Sequence, residues 1–152
     1  MVGFGAGHKV KCFHAIDQAA ESMTRAVIED AFDRKLRQDY FSEQPVKLFA
    51  TEEWNGVAIV KKFNGLYCLD KLAVKKEWQH NSVAKVLLRA VFKEFPYIFW
   101  RAAPRNPINF WYFKECGGCI KDRQWNVFWK GVRGKEIDAV VHFALQHESD
   151  FV

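Results

Sequence analysis

Two Asn-Gly pairs, Asn55-Gly56 and Asn64-Gly65, cut residues 46–74 into three apolar runs, and this spacing constrains the fold more than any other feature. Asn-Gly best tolerates the positive φ angles of a two-residue hairpin turn. Residues 46–51, 56–62 and 66–74 are therefore expected as three antiparallel strands. Before them, Ile16, Ala19, Ala20, Met23, Ala26, Val27 and Ala31 fall at helical spacing, predicting one or two helices over 16–37 with a break near Glu29–Asp33.

After Val74 the period changes. Lys75–Asn81 is polar, Ser82 is placed as an N-cap, and Val83, Val86, Leu87, Ala90, Val91 and Phe95 follow as a helix that Pro96 ends. Residues 97–101 read as a short strand, and Asn106-Pro107 opens a short helix with Pro107 in its first turn, ending near Gly117-Gly118. Residues 125–132 read as a strand and 136–145 as a last helix. That order describes a single α/β domain with a mixed, mostly antiparallel sheet flanked by helices. The glycines at 3, 5 and 7 follow no strand and open no helix, so residues 1–15 read as a flexible segment before a domain spanning 16–152.

Composition matters here mainly through charge. Residues 81–135 carry 11 basic against 3 acidic side chains, whereas 136–152 carries four acids and no Lys or Arg. The middle of the chain is thus suited to an anion. Lys85, Arg89 and Lys93 form a basic stripe at four-residue spacing. An apolar fraction of 49% excludes disorder, and the lack of an apolar run of about 18 residues excludes a spanning helix. Cys12, Cys68, Cys116 and Cys119 form no disulfide framework, and no secretory signal is evident, so a cytoplasmic setting is expected, with the mitochondrial matrix as alternative.

Cys116-Gly-Gly-Cys119 has the spacing of a redox pair or half a zinc site, but no second pair accompanies it, and it reads as a structural turn. The five histidines show no ligand spacing, so no metal site is expected. Most tryptophans sit at periodic strand positions, which argues against a nucleic-acid surface; neither nucleic acid nor membrane is expected as a partner. The junction over 69–88, a strand end followed by a helix start, has the form of a diphosphate cradle, and equally that of an ordinary βα turn.

Several stretches together resemble a known family. Tyr67-Cys-Leu-Asp-Lys-Leu-Ala-Val74, the Gln79–Ala84 turn, Ile98-Phe-Trp-Arg101, Asn106-Pro-Ile-Asn-Phe-Trp-Tyr-Phe113 and Gln124-Trp-Asn-Val-Phe-Trp-Lys-Gly131 resemble the acetyltransferase domain of N-acetylglutamate synthases. The type is that of vertebrates and of bifunctional bacterial synthase/kinases, within the GCN5-related N-acetyltransferase superfamily. The resemblance runs from about Ile16 to Gly131.

It implies a GCN5-related fold and acetyl transfer from acetyl-CoA, as co-substrate and without a metal, to the α-amino group of L-glutamate. By resemblance, main-chain groups of Leu72, Ala73 and Val74 would meet the acetyl carbonyl and pantetheine, a backbone N–H stabilising the developing oxyanion. The pyrophosphate turn falls on Gln79, His80, Asn81, Ser82, Val83 and Ala84, with Ser82 where the family has its main glycine. Lys35, Lys71 and Arg101 would hold the glutamate carboxylates, with Asn106 as a further substrate contact and Asn109 as a coenzyme contact. Ala103 stands where the family has a second arginine. Tyr112 would be the general acid that protonates the leaving thiolate; the same ring also reads as a core aromatic beside Phe110, Trp111 and Phe113. The implied partners are an amino-acid kinase domain or a second copy of the chain. The alternative to a working synthase is a catalytically degenerate acetyltransferase-like domain with a regulatory or assembly role.

Overall fold

A computed structural model describes residues 3–4, 8–79 and 82–152. In chain order the elements are β1 (Gly3–Phe4), β2 (His8–Phe13), α1 (Gln18–Phe32), β3 (Lys47–Thr51), β4 (Gly56–Phe63), β5 (Leu66–Val74), α2 (Val83–Glu94), β6 (Ile98–Ala102), α3 (Asn109–Glu115), β7 (Gly118–Lys121), β8 (Asn126–Lys130) and α4 (Lys135–Gln146). The strands form one sheet in the order β1-β2-β3-β4-β5-β6-β8-β7. Every neighbouring pair is antiparallel except β5 and β6. None of the described helices is long and apolar enough to cross a membrane.

Helices cover both faces. One face packs Val83, Leu87, Leu88 and Val91 of α2 and Tyr112 of α3 against Phe49, Val60, Leu69, Val74, Trp100 and Phe128. The opposite face packs α1, through Ala20, Val27 and Ile28, on Leu48, Val57, Ile59 and Ala73. Beside it, Val140 and Ala144 of α4 pack on Cys68, Phe99 and Val127. This buried alternation is what the apolar runs anticipated.

Local signals acted unevenly. Asp17 caps α1 by accepting the Ala20 N–H (2.8 Å), and Asp33, in the left-handed region (φ 54°), ends it. The β4–β5 hairpin turns through Asn64 and Gly65 (φ 51° and 80°), as the dipeptide predicts. Asn55-Gly56 does not form such a turn. The reversal occupies 52–55, where Trp54 takes the positive φ, and Thr51 Oγ1 accepts from the Asn55 and Gly56 amides (3.0 and 3.1 Å). Gly56 begins β4 because a Cβ there would lie 2.6 Å from Val83 Cγ1 and 2.9 Å from Leu87 Cδ1.

Three expectations need correction. Residues 8–13, inside the segment expected to be flexible, form a strand paired with β3 from Val10↔Thr51 to Phe13↔Leu48. A six-residue run declares itself only through that ladder. Residues 118–121, taken as lying beyond a helix end, pair with β8 as the edge strand β7. α3 starts at Asn109 rather than at Pro107, because Asn106 first forms a local turn, its Oδ1 accepting the Ile108 N–H (3.1 Å).

Candidate active site

β5 holds the decisive irregularity. Its register on β4 jumps from Val60↔Leu69 to Ile59↔Lys71, leaving Asp70 without a partner as a β-bulge. Strict alternation would put Cys68 and Leu72 on one face, but Cys68 lies toward α4 and Leu72 toward α2. The bulge thus turns two consecutive residues, Asp70 and Lys71, to the α1/α4 face. It also ends the pairing of the parallel strands: β5 and β6 are in register at Cys68↔Phe99 alone, so no ladder pair on β6 engages Leu72, Ala73 or Val74.

On the α1/α4 face the side chains form a buried charged network. Lys71 Nζ donates to Asp150 Oδ2 (2.7 Å), Asp70 Oδ2 (3.3 Å) and the Asp70 carbonyl (3.2 Å). Asp70 also accepts the Tyr40 hydroxyl and lies 3.8 Å from Lys61. Burial works to raise the Asp70 pKa, but Lys71, Lys61 and the Tyr40 hydroxyl outweigh it and hold the carboxyl below its ordinary value. Burial likewise opposes the Lys71 charge, and Asp70 with Asp150 reverses that, raising its pKa. Asp70, His147 and Asp150 offer oxygen and nitrogen atoms within 4.8 Å of one another, with the Lys71 ammonium bonded to both carboxylates.

Arg101 points to the same face. Its Nη1 donates to the carbonyls of Ala144 (2.7 Å) and His147 (2.6 Å), its Nη2 to that of Glu148 (3.3 Å), and its guanidinium covers the Trp125 ring at 3.8 Å. Between Arg101, Lys71, Asp70 and Asp150 lies a cavity of about 30 Å³, floored by Cys68 and Phe99.

The structure therefore brings Lys71 and Arg101 together. It does not add the Lys35 side chain, which is 84% exposed and 3.9 Å from Glu29, although the Lys35 carbonyl accepts the Val152 N–H nearby (2.8 Å). Several of the remaining expected residues lie on the α2/α3 face. Leu72, Val74, Val83, Ala84 and Tyr112 share one apolar cluster, while Ala73 packs on the α1 side. Gln79 Nε2 donates to the Val74 carbonyl (3.0 Å), tying the turn to the strand end. Ser82 stands at the N-cap position of α2 as expected, but in a left-handed conformation (φ 61°) and without a side-chain capping bond. His80 and Asn81 lie outside the described residues.

In the loop before α3, buried Asn109 donates from Nδ2 to the carbonyls of Ala103 (2.9 Å) and Pro104 (3.2 Å), and its Oδ1 is buried without a partner. Asn106 is occupied locally by the Ile108 amide. Tyr112 packs against Trp100 and Phe128, with ring centroids 5.5 and 5.3 Å away, and burial pushes its phenol pKa upward. Cys116 closes α3, and the Gly117 N–H bonds the Trp129 carbonyl (2.7 Å), so the cysteine pair brackets the turn into β7. Sequence reading missed Tyr40, Lys61, Asp70 and Asp150 as site residues. Asp70 stands inside a quoted motif, but nothing in the sequence announces a bulge.

The family described as "NAT, N-acetyltransferase, of N-acetylglutamate synthase" matches residues 9–148. This chain belongs to that family. The mitochondrial N-acetylglutamate synthase of Danio rerio is 28% identical over 155 residues, covering 97% of this chain and 29% of that protein. The acetylglutamate kinase of Xanthomonas campestris is 32% identical over 117 residues, covering 73% of this chain and 28% of that one. The NAT domain thus spans under a third of these relatives' length. Solved structures show the GCN5-related acetyltransferase fold. The paia N-acetyltransferase of Thermoplasma acidophilum with coenzyme A superposes with TM-score 0.61 at 13% identity, covering 80% of this chain and 98% of that chain. The N-acetylglutamate synthase of Neisseria gonorrhoeae, complexed with coenzyme A and N-acetyl-glutamate, superposes with TM-score 0.55 at 13% identity, covering 82% and 36%.

Proposed function

We propose that this NAT domain transfers an acetyl group from acetyl-CoA to the α-amino group of L-glutamate, releasing N-acetylglutamate and CoA. The observation that carries the reading is the parting of β5 from β6 after Cys68↔Phe99, which leaves Leu72–Val74 without a β6 ladder partner beside the start of α2. A backbone N–H on that edge is a preorganised donor for the oxyanion that develops on the acetyl carbonyl. Unpaired amides of the first turn of α2, reached through Gln79 and Ser82, suit the coenzyme's diphosphate.

The acceptor amine attacks the acetyl carbon from the α1/α4 face, where Lys71 and Arg101 attract carboxylates. The acceptor ammonium first loses a proton to bulk water; the new C–N bond then forms as the C–S bond breaks. The departing thiolate takes the Tyr112 phenol proton, and the second proton that the amine gives up returns through water to the phenol, whose neutral form burial favours. Direct attack needs no covalent enzyme intermediate, and positioning supplies much of the rate. Relatives named acetylglutamate kinase support an amino-acid kinase domain as the functional partner.

Calorimetry with acetyl-CoA and a thiol-release assay over a panel of amino acids test the proposal. Coenzyme binding with glutamate-dependent CoA release is expected. Absence of coenzyme binding removes the enzymatic reading and leaves the degenerate-domain alternative, whereas release with another amine alone removes glutamate.

A further inference from the structure

The segment 147–152 after α4 is strapped across the acceptor side of the site. The Arg37 N–H donates to the Asp150 carbonyl (2.8 Å) and the Val152 N–H to the Lys35 carbonyl (2.8 Å), around a Leu36↔Phe151 bridge. Phe151 packs on Phe32 (centroids 5.1 Å apart) and lies under the Arg34 guanidinium (5.1 Å). Arg101 holds the start of the segment through the carbonyls of His147 and Glu148. Both cations assigned to the acceptor are therefore already engaged by this one segment or by the helix end before it.

Lys71 makes the consequence specific. An ammonium has three donors, and all three are used: one on Asp150 Oδ2, one on Asp70 Oδ2, one on the Asp70 carbonyl. A substrate carboxylate reaches Lys71 only by displacing one of them. Asp70 is the fixed partner, its side chain 6% exposed and held as well by Tyr40 and Lys61. Asp150 is the replaceable one, 17% exposed and carried by a segment with only two backbone bonds to residues 35–37. The cavity between the cations is lined by Asp150 as well as by Lys71 and Arg101, so the strap's carboxylate forms one wall of the space an acceptor would enter.

We infer that residues 147–152 form an autoinhibitory strap, in which the Asp150 carboxylate stands on Lys71 where an acidic acceptor's carboxylate must bind. Acceptor binding displaces the strap and frees Lys71 and part of the Arg101 fork together. The inference rests on the proposed glutamate reaction for the identity of the acceptor, and on the Lys71 geometry for the competition.

Two measurements test it. In steady-state kinetics, Asp150→Asn removes the competing charge while keeping the side chain's shape. A several-fold fall in KM for glutamate, with KM for acetyl-CoA within twofold of the parent, is expected; an unchanged or higher glutamate KM overturns the strap. Hydrogen exchange on the unmodified protein does not depend on the variant's folding. Glutarate, a dicarboxylate without the reacting amine, should speed exchange at the Arg37 and Val152 amides, and unchanged or greater protection there overturns the inference. If the unmodified protein acetylates no glutamate, the proposed reaction fails, and the glutarate experiment still decides the strap.

Discussion

The Tyr112 phenol packs against Trp100 and Phe128, in the same apolar cluster as Leu72 and Val74. Burial raises its pKa, so at neutral pH it is protonated, and as an acid it is weaker than an exposed phenol. The two sequence readings of this residue, core aromatic and general acid, are separated by removing the hydroxyl alone. Tyr112→Phe keeps the ring and removes the donor. The expected outcome is a fall in kcat of about 10²–10⁴-fold, with a nearly unchanged thermal midpoint. Retained kcat would leave the ring a packing role alone. No local pattern separates these cases, because WYF reads identically as core and as site.

Among the elements, the start of α2 shows how far motif spacing reaches. Resemblance alone marks the Gln79–Ala84 turn, and the structure gives Ser82 the positive φ that a glycine in that place adopts without strain. Left-handed geometry costs a residue with a Cβ roughly 1–2 kcal/mol, while glycine loses roughly 0.5–1 kcal/mol more in chain entropy. Ser82→Gly should therefore stabilise the domain by about 0.5–1 kcal/mol in urea denaturation. It should also tighten acetyl-CoA binding by calorimetry, since the turn is then free to fit a diphosphate. A loss of stability would show that Ser82 makes a contact that offsets its strain. The neighbouring Gly56 has a different cause, the close approach of Val83 and Leu87, which a hairpin reading of Asn55-Gly56 could not foresee.

Across the whole molecule, the acidic stretch after residue 135 returns to the middle of the sheet. Asp150 from the acidic end meets Lys71, Arg101 holds carbonyls at the end of α4 and just beyond it, and Asp70 joins β5 to β4 and to Tyr40. Asp70 is a carboxylate whose pKa is lowered on folding. Its contribution is therefore present above the unfolded value of about 4 and is lost as pH falls through the lower folded one. Urea midpoints measured against pH should show this as an acid limb below about pH 4. Asp70→Asn should lower stability at pH 7 by roughly 3–5 kcal/mol, as removing one partner of a buried pair does, and make that limb shallower. An unchanged limb would place the acid sensitivity in another carboxylate.

The sequence by itself determined the antiparallel run over β3–β5, the helices α1, α2 and α4, and the family motifs, because each depends on periodicity, turn chemistry or residue identity within a short window. It left β2 and β7 undetected, since short strands exist only through the ladders that β3 and β8 provide. It also could not show that Lys71 and Arg101 are already engaged. That depends on a one-residue bulge at Asp70 reversing the side-chain alternation, and on residue 150 returning to residue 71. Alternation and charge can be read along the chain; which carboxylate faces which ammonium is decided only when the sheet closes the distance between them.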